Sequence, residues 1–400
     1  MVTSPGGPAD LLIVDVDTHL SEPWDLWLKR APKGFEDRVP QVREVDGRQR
    51  WVFDGEPIGG VGAASVIGAD MEKRYDMAFM FGTPVHEVAA GASQVGPRLE
   101  LMDAQGIWAH LIYPNTVGFG GQQLGGNGDE VLRNLAVEIY NDAMAEMQAE
   151  SGNRLFPQAI LPWWDVDACL VEIERIQRLG LVGVNTNADP QDAGLPDLSQ
   201  PYWDPMWAAL ADAGLPVNFH IGASASQITY HGSAPWPSMD SGARMAIGSA
   251  MLFLANGRII ANLIYGGVLE RHPTLKVVSV ESGVGWLPSF LNALDYQLDE
   301  TAPTTRDKLS LKPSEYFRRQ MGACFWFEND AALIREAIKQ VGEDNCMFET
   351  DFPHPTCLYP DPVQRALAVF EPESDELKRK VFGANAVRIY NLPLPTGIGP

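Results

Sequence analysis

The tripeptide Asp17-Thr18-His19 combines two side chains that could share one chemical task. It stands at the C-terminal end of an apolar run, residues 11–14, which predicts a β-strand. Side chains two positions apart in a strand lie on the same face, so the Asp17 carboxylate and the His19 imidazole can converge on one point. An oxygen and an imidazole nitrogen suit Zn²⁺ or Mn²⁺ as ligands. On its own the tripeptide is also compatible with a capped turn.

Two residues further along the chain could complete such a metal site. His220 closes the short apolar segment 216–220, and Asp351 closes the segment 347–351. Separately, His220 could be a hydrogen-bonded core residue, and Asp351 could cap a helix. Together with Asp17 and His19 they come from the ends of three predicted strands that point to one rim. Four ligands with an open position for water or substrate form a catalytic metal centre.

The elements that must position these residues alternate between short apolar runs and longer helical patterns. Eight strands are predicted, at 12–17, 109–113, 156–161, 182–186, 217–220, 276–281, 324–327 and 346–350. Helical periodicity fills several of the intervals, notably at 132–147, 169–176 and 204–213, each followed by a glycine stop. This alternation predicts an α/β fold, a (β/α)₈ TIM barrel, in preference to an open doubly wound sheet. No Gly-x-Gly-x-x-Gly follows the first strand to indicate a dinucleotide site.

Two insertions interrupt this alternation, after predicted strands 1 and 5. Residues 30–85 contain a predicted β-hairpin, 39–45 and 49–53, with its turn at Asp46-Gly47, followed by a glycine-rich stretch, 59–62, that we expect to be mobile. Residues 222–258 are rich in Ser, Gly and Met. Both follow strand ends, where a barrel builds its active site, so both are lid candidates. We expect a single domain over residues 1–400.

Composition excludes several classes of function. The chain has 400 residues, of which 45% are hydrophobic and 20% charged, as in an ordinary globular enzyme. Its net charge of −22 argues against a nucleic-acid partner. We expect no membrane partner, because no run of about 18 apolar residues is uninterrupted. The segment 1–10 lacks a signal-peptide pattern, and the four cysteines lack Cys-x-x-Cys spacing. These features predict a cytoplasmic protein with reduced thiols.

Several motifs give the sequence a wider resemblance. They lie at residues 14–23, 98–106, 271–277, 350–354 and 383–386. With Asp-x-His after strand one, His after strand five and Asp after strand eight, the chain resembles the amidohydrolase superfamily. It is most similar to the amidohydrolase-related branch, which includes aminocarboxymuconate semialdehyde decarboxylase and resorcylate decarboxylase type enzymes. The resemblance implies a barrel enzyme, and by itself it names no substrate.

The resemblance also implies roles for individual residues. Asp17, His19, His220 and Asp351 fall on the metal-ligand positions of the branch. The strand-four segment 182–187 has no Lys, so the carbamylated lysine of binuclear relatives is missing and one metal is expected. Asp351 could be both a ligand and a proton shuttle.

The strand-six position departs from the decarboxylase pattern. Where decarboxylase relatives carry a catalytic His, this chain reads Glu281-Ser282-Gly283. Glu281 could be an acid–base residue, or could anchor a ligand histidine through its other ring nitrogen. It could also be a structural carboxylate that accepts hydrogen bonds from its own turn.

Three residues around this centre are candidates for substrate contact: His354, shortly after Asp351, His231 in the second insertion, and Trp286. The structural alternatives are a closed turn for His354, a solvated loop position for His231 and core packing for Trp286. The favoured function is a mononuclear metal-dependent, non-oxidative decarboxylase of a small aromatic or unsaturated carboxylic acid. Alternatives are a metal-dependent hydrolase of an amide, ester or lactone, and a non-catalytic binding protein on the same scaffold. We expect one divalent ion, Zn²⁺ before Mn²⁺, a small-molecule substrate and a homodimer.

Overall fold

The computed structural model describes residues 11–394. The segment 1–10, where the sequence indicates no signal peptide, lies outside them, as do residues 395–400. The strands of the described part are β1 (Val14–His19), β2 (Gln41–Val45), β3 (Arg48–Phe53), β4 (Glu56–Gly60), β5 (Ala109–Tyr113), β6 (Leu155–Pro157), β7 (Ala159–Ile160), β8 (Val184–Asn185), β9 (Val217–His220), β10 (Val277–Val280), β11 (Met321–Phe325) and β12 (Cys346–Phe348).

Helices lie between most of the parallel strands and after the last one. They are α1 (Met77–Gly82), α2 (Val95–Gln105), α3 (Gln122–Gly125), α4 (Glu130–Glu150), α5 (Val166–Leu179), α6 (Asp204–Ala213), α7 (Ala225–Tyr230), α8 (Ser241–Leu252), α9 (Asn256–Tyr265), α10 (Val268–Arg271), α11 (Leu287–Thr301), α12 (Pro303–Arg306), α13 (Pro313–Gln320), α14 (Ala331–Val341), α15 (Pro362–Val369), α16 (Asp375–Arg379) and α17 (Asn385–Tyr390).

The parallel strands follow one another in chain order. One sheet runs β1-β5-β6 and the other β7-β8-β9-β10-β11-β12. β6 and β7 are two parts of one barrel strand, since the Gln158 N–H between them still donates to the Ile112 carbonyl of β5 at 2.8 Å. At the other end Thr18 pairs in parallel with Phe352, which brings the last strand beside the first. Eight parallel strands alternating with helices give the (β/α)₈ fold that the sequence predicts.

The strands and helices overlap the predicted segments, although β11 begins three residues before the predicted strand 324–327 and ends two residues before its end. The residues of β9, β10, β11 and β12 are buried, as expected for a parallel sheet covered on both faces. α5 begins after Asp165, whose side chain accepts from the Ala168 N–H, and ends at Gly180 with φ +75°. This acceptor at the start and left-handed glycine at the end satisfy backbone groups that the helix itself leaves unpaired. Predicted helices at 132–147, 169–176 and 204–213 correspond to α4, α5 and α6.

The first insertion forms a three-stranded antiparallel sheet, β2-β3-β4. The predicted hairpin is present, with Asp46 at φ 51° and Gly47 at φ 71° in its turn, as a type I′ turn requires. Within the glycine-rich stretch that we expected to be mobile, Gly59 and Gly60 are the last residues of β4 and pair with β3. Just beyond, Gly62 lies so close to the Phe81 backbone that a Cβ would stand 2.2 Å from its carbonyl oxygen.

The second insertion contains α7, α8 and the start of α9. From Ser241 the chain forms a helical stretch, Ser241–Tyr265, that is long and apolar enough to cross a membrane by length and composition, with a mean hydropathy of 1.5 in an 18-residue window. A helix that packs in a protein core meets the same criterion. In α9 the side chains of Ile260, Leu263 and Ile264 are buried in the main core beside the barrel.

Candidate metal centre

Six side chains converge at the rim where the barrel strands end. All are buried: Asp17 and His19 of β1, His220 of β9, Glu281 after β10, and Asp351 and His354 after β12. Their ligand atoms form two overlapping groups, each with all atoms within 4.8 Å of one another. One group is Asp17, His19, His220 and Glu281, and the other is His19, Glu281, Asp351 and His354. The structure therefore brings together the four ligands expected from the sequence.

The spacing of these atoms matches the spacing around a single ion. His19 Nε2 lies 3.5 Å from Asp17 Oδ1, 3.6 Å from Asp351 Oδ1 and 3.2 Å from His220 Nε2. His220 Nε2 is 3.6 Å from Asp17 Oδ1. Ligands held tetrahedrally at zinc-like bond lengths stand about 3.4 Å from one another. A cation held by His19 could therefore also contact Asp17 and His220 in one group, or Asp351 in the other.

Two of the site residues have backbone conformations that only a few L-residues adopt. Glu281 has φ +53° and Asp351 has φ +60°. A non-glycine residue in this left-handed region carries strain of roughly 1–3 kcal/mol, so the surrounding structure must stabilise it. The Glu281 N–H donates to Glu349 Oε2 at 3.3 Å, and the Asp351 N–H donates to the Asp17 carbonyl at 2.9 Å. Both residues lie at the rim, and their positive φ turns the two carboxylates away from the direction that a continuing strand would give them.

Buried carboxylate oxygens without partners indicate that a cation belongs here. Both Asp17 oxygens and Asp351 Oδ1 are inaccessible, and none has a hydrogen-bond partner within residues 11–394. A buried charge left in that state is very costly. His220 Nδ1 donates to the Ile221 carbonyl at 2.7 Å, which aims Nε2 at the centre. Carboxylate oxygens and imidazole nitrogens with these orientations fit a divalent transition metal.

Burial raises the pKa values of two carboxylates in the site, and a bound cation would reverse that shift. Burial raises the pKa of Asp17, and it raises that of Glu281 well above the usual range, with the charges of Asp351 and Asp17 adding to the effect. Burial lowers the pKa of His19 well below its usual range, and His354 adds to this. His19 is therefore neutral near pH 7, the form that binds metal.

His354 connects this centre to the substrate side. Its ring stacks on His19 with centroids 3.6 Å apart, and its Nδ1 is 3.0 Å from Asp351 Oδ1. Its Nε2 lies 3.0 Å from Asn115 Oδ1, while Asn115 Nδ2 donates to the Leu20 carbonyl. Because Asn115 uses its amide nitrogen on Leu20, its oxygen accepts from His354 Nε2–H.

A cavity of about 260 Å³ opens beside His354 and Phe119. Phe119 contacts the His220 ring, with centroids 4.1 Å apart, so the cavity reaches the metal-ligand cluster. Its wall is largely supplied by the first insertion, and its other aromatic side chains are Trp24, Trp51 and Phe81. Among the described residues that line it, none is Lys or Arg. The acid in the wall, Glu22, accepts from the N–H groups of Asn115 and Thr116.

Two residues expected to contact substrate do not line this cavity. Trp286 donates its indole N–H to the Ser282 carbonyl at 2.8 Å and packs on Phe290. His231 follows α7, and burial lowers its pKa with a contribution from the charge of Arg258. Among residues 222–258 none lines the cavity, whereas the first insertion supplies most of its wall.

Sequence reasoning did not identify Asn115 or Phe119. Asn115 lies two residues after β5, at the same rim as the other site residues. The strand-end argument that identified His220 applies to this position too. Phe119 belongs to a loop without a helical or strand period, so no pattern signalled it.

Comparison with known proteins places the chain in a family. The model of the family described as amidohydrolase matches residues 14–392. The chain belongs to the amidohydrolase family. Among curated relatives, a gamma-resorcylate decarboxylase from Polaromonas sp. (strain JS666 / ATCC BAA-500) is 26% identical over 310 residues, which cover 74% of this chain and 86% of that protein.

Solved structures share the fold of this amidohydrolase. An amidohydrolase from Mycobacterium avium subsp. paratuberculosis K-10 superposes with a TM-score of 0.73 at 22% identity, covering 97% of this chain and 99% of that one. A dihydroxybenzoic acid decarboxylase from Polaromonas sp. JS666, with bound manganese and the inhibitor 2-nitroresorcinol, gives a TM-score of 0.60 at 17% identity, with coverage of 96% and 97%. The family match confirms the resemblance drawn from the sequence motifs.

Proposed function

We propose that this amidohydrolase is a metal-dependent, non-oxidative decarboxylase of a small aromatic or unsaturated carboxylic acid. The observation that carries the proposal is the aromatic cavity, which reaches the metal-ligand cluster and whose described lining contains no Lys or Arg. A substrate carboxylate entering it would find its counter-charge at the metal. The 26% identical relative named gamma-resorcylate decarboxylase supports the same reaction class.

A single divalent cation would be held by Asp17, His19, His220 and Asp351. No Lys lies in the strand-four segment 182–187 to bridge a second ion. From the sequence we expected Zn²⁺ before Mn²⁺, but carboxylate ligands suit Mn²⁺ better than they suit Zn²⁺. Manganese is bound in the Polaromonas dihydroxybenzoic acid decarboxylase. We therefore propose Mn²⁺ first and Zn²⁺ second.

The protein's own residues would orient the substrate and deliver a proton. When bound, the cation supplies charge stabilisation for the substrate's carboxylate and neighbouring oxygen. Trp51 and Phe119 would hold the ring in the cavity. Asp351, whose Oδ2 accepts from the Thr356 hydroxyl, would protonate the ring carbon as its bond to the carboxylate breaks. The electron pair of that bond takes up the proton, and CO₂ leaves. His354, once protonated at both ring nitrogens by solvent in the cavity, would return a proton from Nδ1 to Asp351 Oδ1, 3.0 Å away.

The test is CO₂ release from a panel of hydroxybenzoates and unsaturated acids by Mn²⁺-loaded protein, with metal-free protein as the control. Exchange of ¹³C-bicarbonate into the phenol product would detect the reverse reaction. Turnover of esters, lactones or amides with ¹⁸O from water, and no CO₂ from any acid, would instead identify a hydrolase. Tight binding of the acids without any turnover would identify a non-catalytic binding protein.

We also propose a cytoplasmic homodimer. Support comes from exposed apolar side chains on and around α7 and α8, including Tyr230, Trp236 and Met251, which offer surface to bury. The cysteines, all free and buried, suit a reducing compartment. Light scattering at micromolar concentration should give the mass of two chains, and a single-chain mass would contradict the dimer. Cell fractionation should recover the protein in the cytosolic fraction, and recovery elsewhere would contradict the location.

A further inference from the structure

Glu281 occupies the strand-six position of the rim, and we propose that its carboxylate is a direct ligand of the metal. This inference rests on the metal dependence in the proposed function and goes beyond it. It gives Glu281 a task different from that of an acid–base residue, of an anchor for a ligand histidine, and of a structural carboxylate.

Glu281 reaches both halves of the cluster. It belongs to the group formed with Asp17, His19 and His220 and also to the group formed with His19, Asp351 and His354. Its Oε2 lies 3.1 Å from His220 Nε2, and its side chain is only 10% exposed. Among the four expected ligands, only His19 is in both groups. A cation bound by either group would therefore have Glu281 within reach.

The hydrogen bond of His220 decides what can lie between these two side chains. Nδ1 is 2.7 Å from the Ile221 carbonyl, which can only accept, so Nδ1 carries the proton. In the neutral ring Nε2 then presents a lone pair. Glu281 Oε2, which lies 3.1 Å from His220 Nε2, is also an acceptor when ionised. His19 Nε2 lies 3.2 Å from His220 Nε2. One metal ion placed among these three atoms satisfies all of them.

The same hydrogen bond argues against the anchoring role. A carboxylate that anchors a metal-bound histidine accepts from the ring nitrogen that is not on the metal. In His220 that nitrogen is Nδ1, and it is already bonded to the Ile221 carbonyl. Glu281 instead approaches Nε2, the nitrogen that faces the cluster.

The structural role belongs to another glutamate at the same rim. Glu328 Oε1 accepts from the N–H groups of Val284 and Gly285 at 2.7 and 3.2 Å, and Oε2 accepts from the Trp326 N–H. Glu328 thus satisfies the backbone that follows the Glu281-Ser282-Gly283 turn. Glu281 is left to face the cluster, with its backbone held at φ +53°.

The experiment compares two Glu→Gln variants, each of which removes one buried carboxylate. Glu281→Gln removes the proposed ligand, and Glu328→Gln is the matched control, because Glu328 belongs to neither group of ligand atoms. Metal-free wild type and both variants are titrated with MnCl₂ alone by calorimetry, the electron paramagnetic resonance spectrum of the bound Mn²⁺ is recorded, and circular dichroism checks the fold. We expect Glu281→Gln to weaken Mn²⁺ binding by about tenfold or more and to change the spectrum. Glu328→Gln should leave the Kd within about twofold and keep the wild-type spectrum.

Wild-type affinity and spectrum in Glu281→Gln, even with activity lost, would overturn the inference and return Glu281 to acid–base chemistry. If Glu281→Gln does not fold, Glu281→Asp is used, which withdraws the carboxylate by one methylene; weaker binding is expected, and an unchanged Kd would overturn the inference. Wild-type protein that binds neither Mn²⁺ nor Zn²⁺ would refute both proposals. Weakened binding in Glu281→Gln together with a wild type that releases no CO₂ would refute only the proposed reaction.

Discussion

Arg98 donates through Nη2 to the backbone carbonyl of His19 at 2.6 Å, although the two residues are far apart in the chain. Its Nε donates to the Gly91 carbonyl, and its guanidinium lies over the Phe352 ring, 4.8 Å from the centroid. The side chain is buried. Arg98 therefore connects the end of β1, the segment before α2 and the segment after β12. It does so at the carbonyl of a proposed metal ligand.

Replacing Arg98 should affect both the fold and the metal site. Arg98→Met removes the donors and leaves the His19 and Gly91 carbonyls buried without them, so we expect the free energy of unfolding to fall by roughly 2–5 kcal/mol. The affinity for Mn²⁺ should fall too, because His19 is no longer held in place. Urea unfolding and calorimetry measure the two effects. Arg98→Lys keeps the charge but not the planar fork, so a partial recovery of both is expected. Lower stability with an unchanged Kd would show that Arg98 does not position His19.

The ligand assignment predicts metal loss in single variants. His220→Ala and Asp351→Ala should keep the fold and lose bound metal and activity, because each removes a donor that the ion needs. His272→Ala is the matched histidine control, since His272 Nε2 lies 3.1 Å from Asp204 and away from the cluster. Metal analysis of the purified proteins and circular dichroism give the result. Full metal occupancy and full activity in both variants would contradict the assignment.

Metal binding should depend on pH in a direction set by the carboxylates. Burial raises the pKa of Asp17 and of Glu281, so without metal these groups keep protons at pH values where an exposed carboxylate is ionised. The metal must displace those protons, and its affinity should therefore fall as the pH is lowered from about 8 to about 6. Calorimetry in two buffers of different ionisation enthalpy would measure the released protons. An affinity independent of pH, with no proton release, would contradict this prediction.

The same shifts have the opposite effect on the metal-free protein. A carboxyl whose pKa is raised by folding binds more protons in the folded state than in the unfolded state. Its contribution to stability is therefore lost as the pH rises through the raised pKa. Below about pH 6.5 the lowered pKa of His19 acts in the other sense, so the comparison is made above that value. There, the gain in melting temperature on adding Mn²⁺ should increase with pH, and a gain that shrinks would contradict the account.

The barrel was predictable because its signals are local and repeated. Buried parallel strands appear as short apolar runs, and the helices carry their own start and stop residues, as Asp165 and Gly180 show for α5. β4 was not predicted, since Pro57 and two glycines are typical of a loop. There the pairing with β3 overrides local preference. The split of one barrel strand at Gln158 also depends on tertiary contacts that a sequence pattern does not contain.

The identities of the site residues were predictable from their positions at strand ends, but the directions of their side chains were predictable only within strands. Asp17, His19 and His220 lie within strands, so their convergence follows from the period of two. Glu281 and Asp351 lie beyond strand ends at positive φ, and no residue type announces that conformation for an acidic side chain. The contact between Glu281 and the cluster, and the stacking of His354 on His19, therefore depend on tertiary structure that the sequence pattern does not contain.

The charge of the cavity predicts a preference for monocarboxylic acids. One substrate carboxylate can be met by the metal, but a second would lie in a wall whose described residues include the acid Glu22 and neither Lys nor Arg. Burying an unpaired charge there is costly, so kcat/KM for hydroxybenzoates should exceed that for unsaturated diacids by about tenfold or more. Met80→Lys would place an ammonium group in the wall and should shift the preference toward diacids, with Met80→Leu as the size control. Efficient turnover of diacids by the wild type, or no shift in Met80→Lys, would contradict this reading of the cavity.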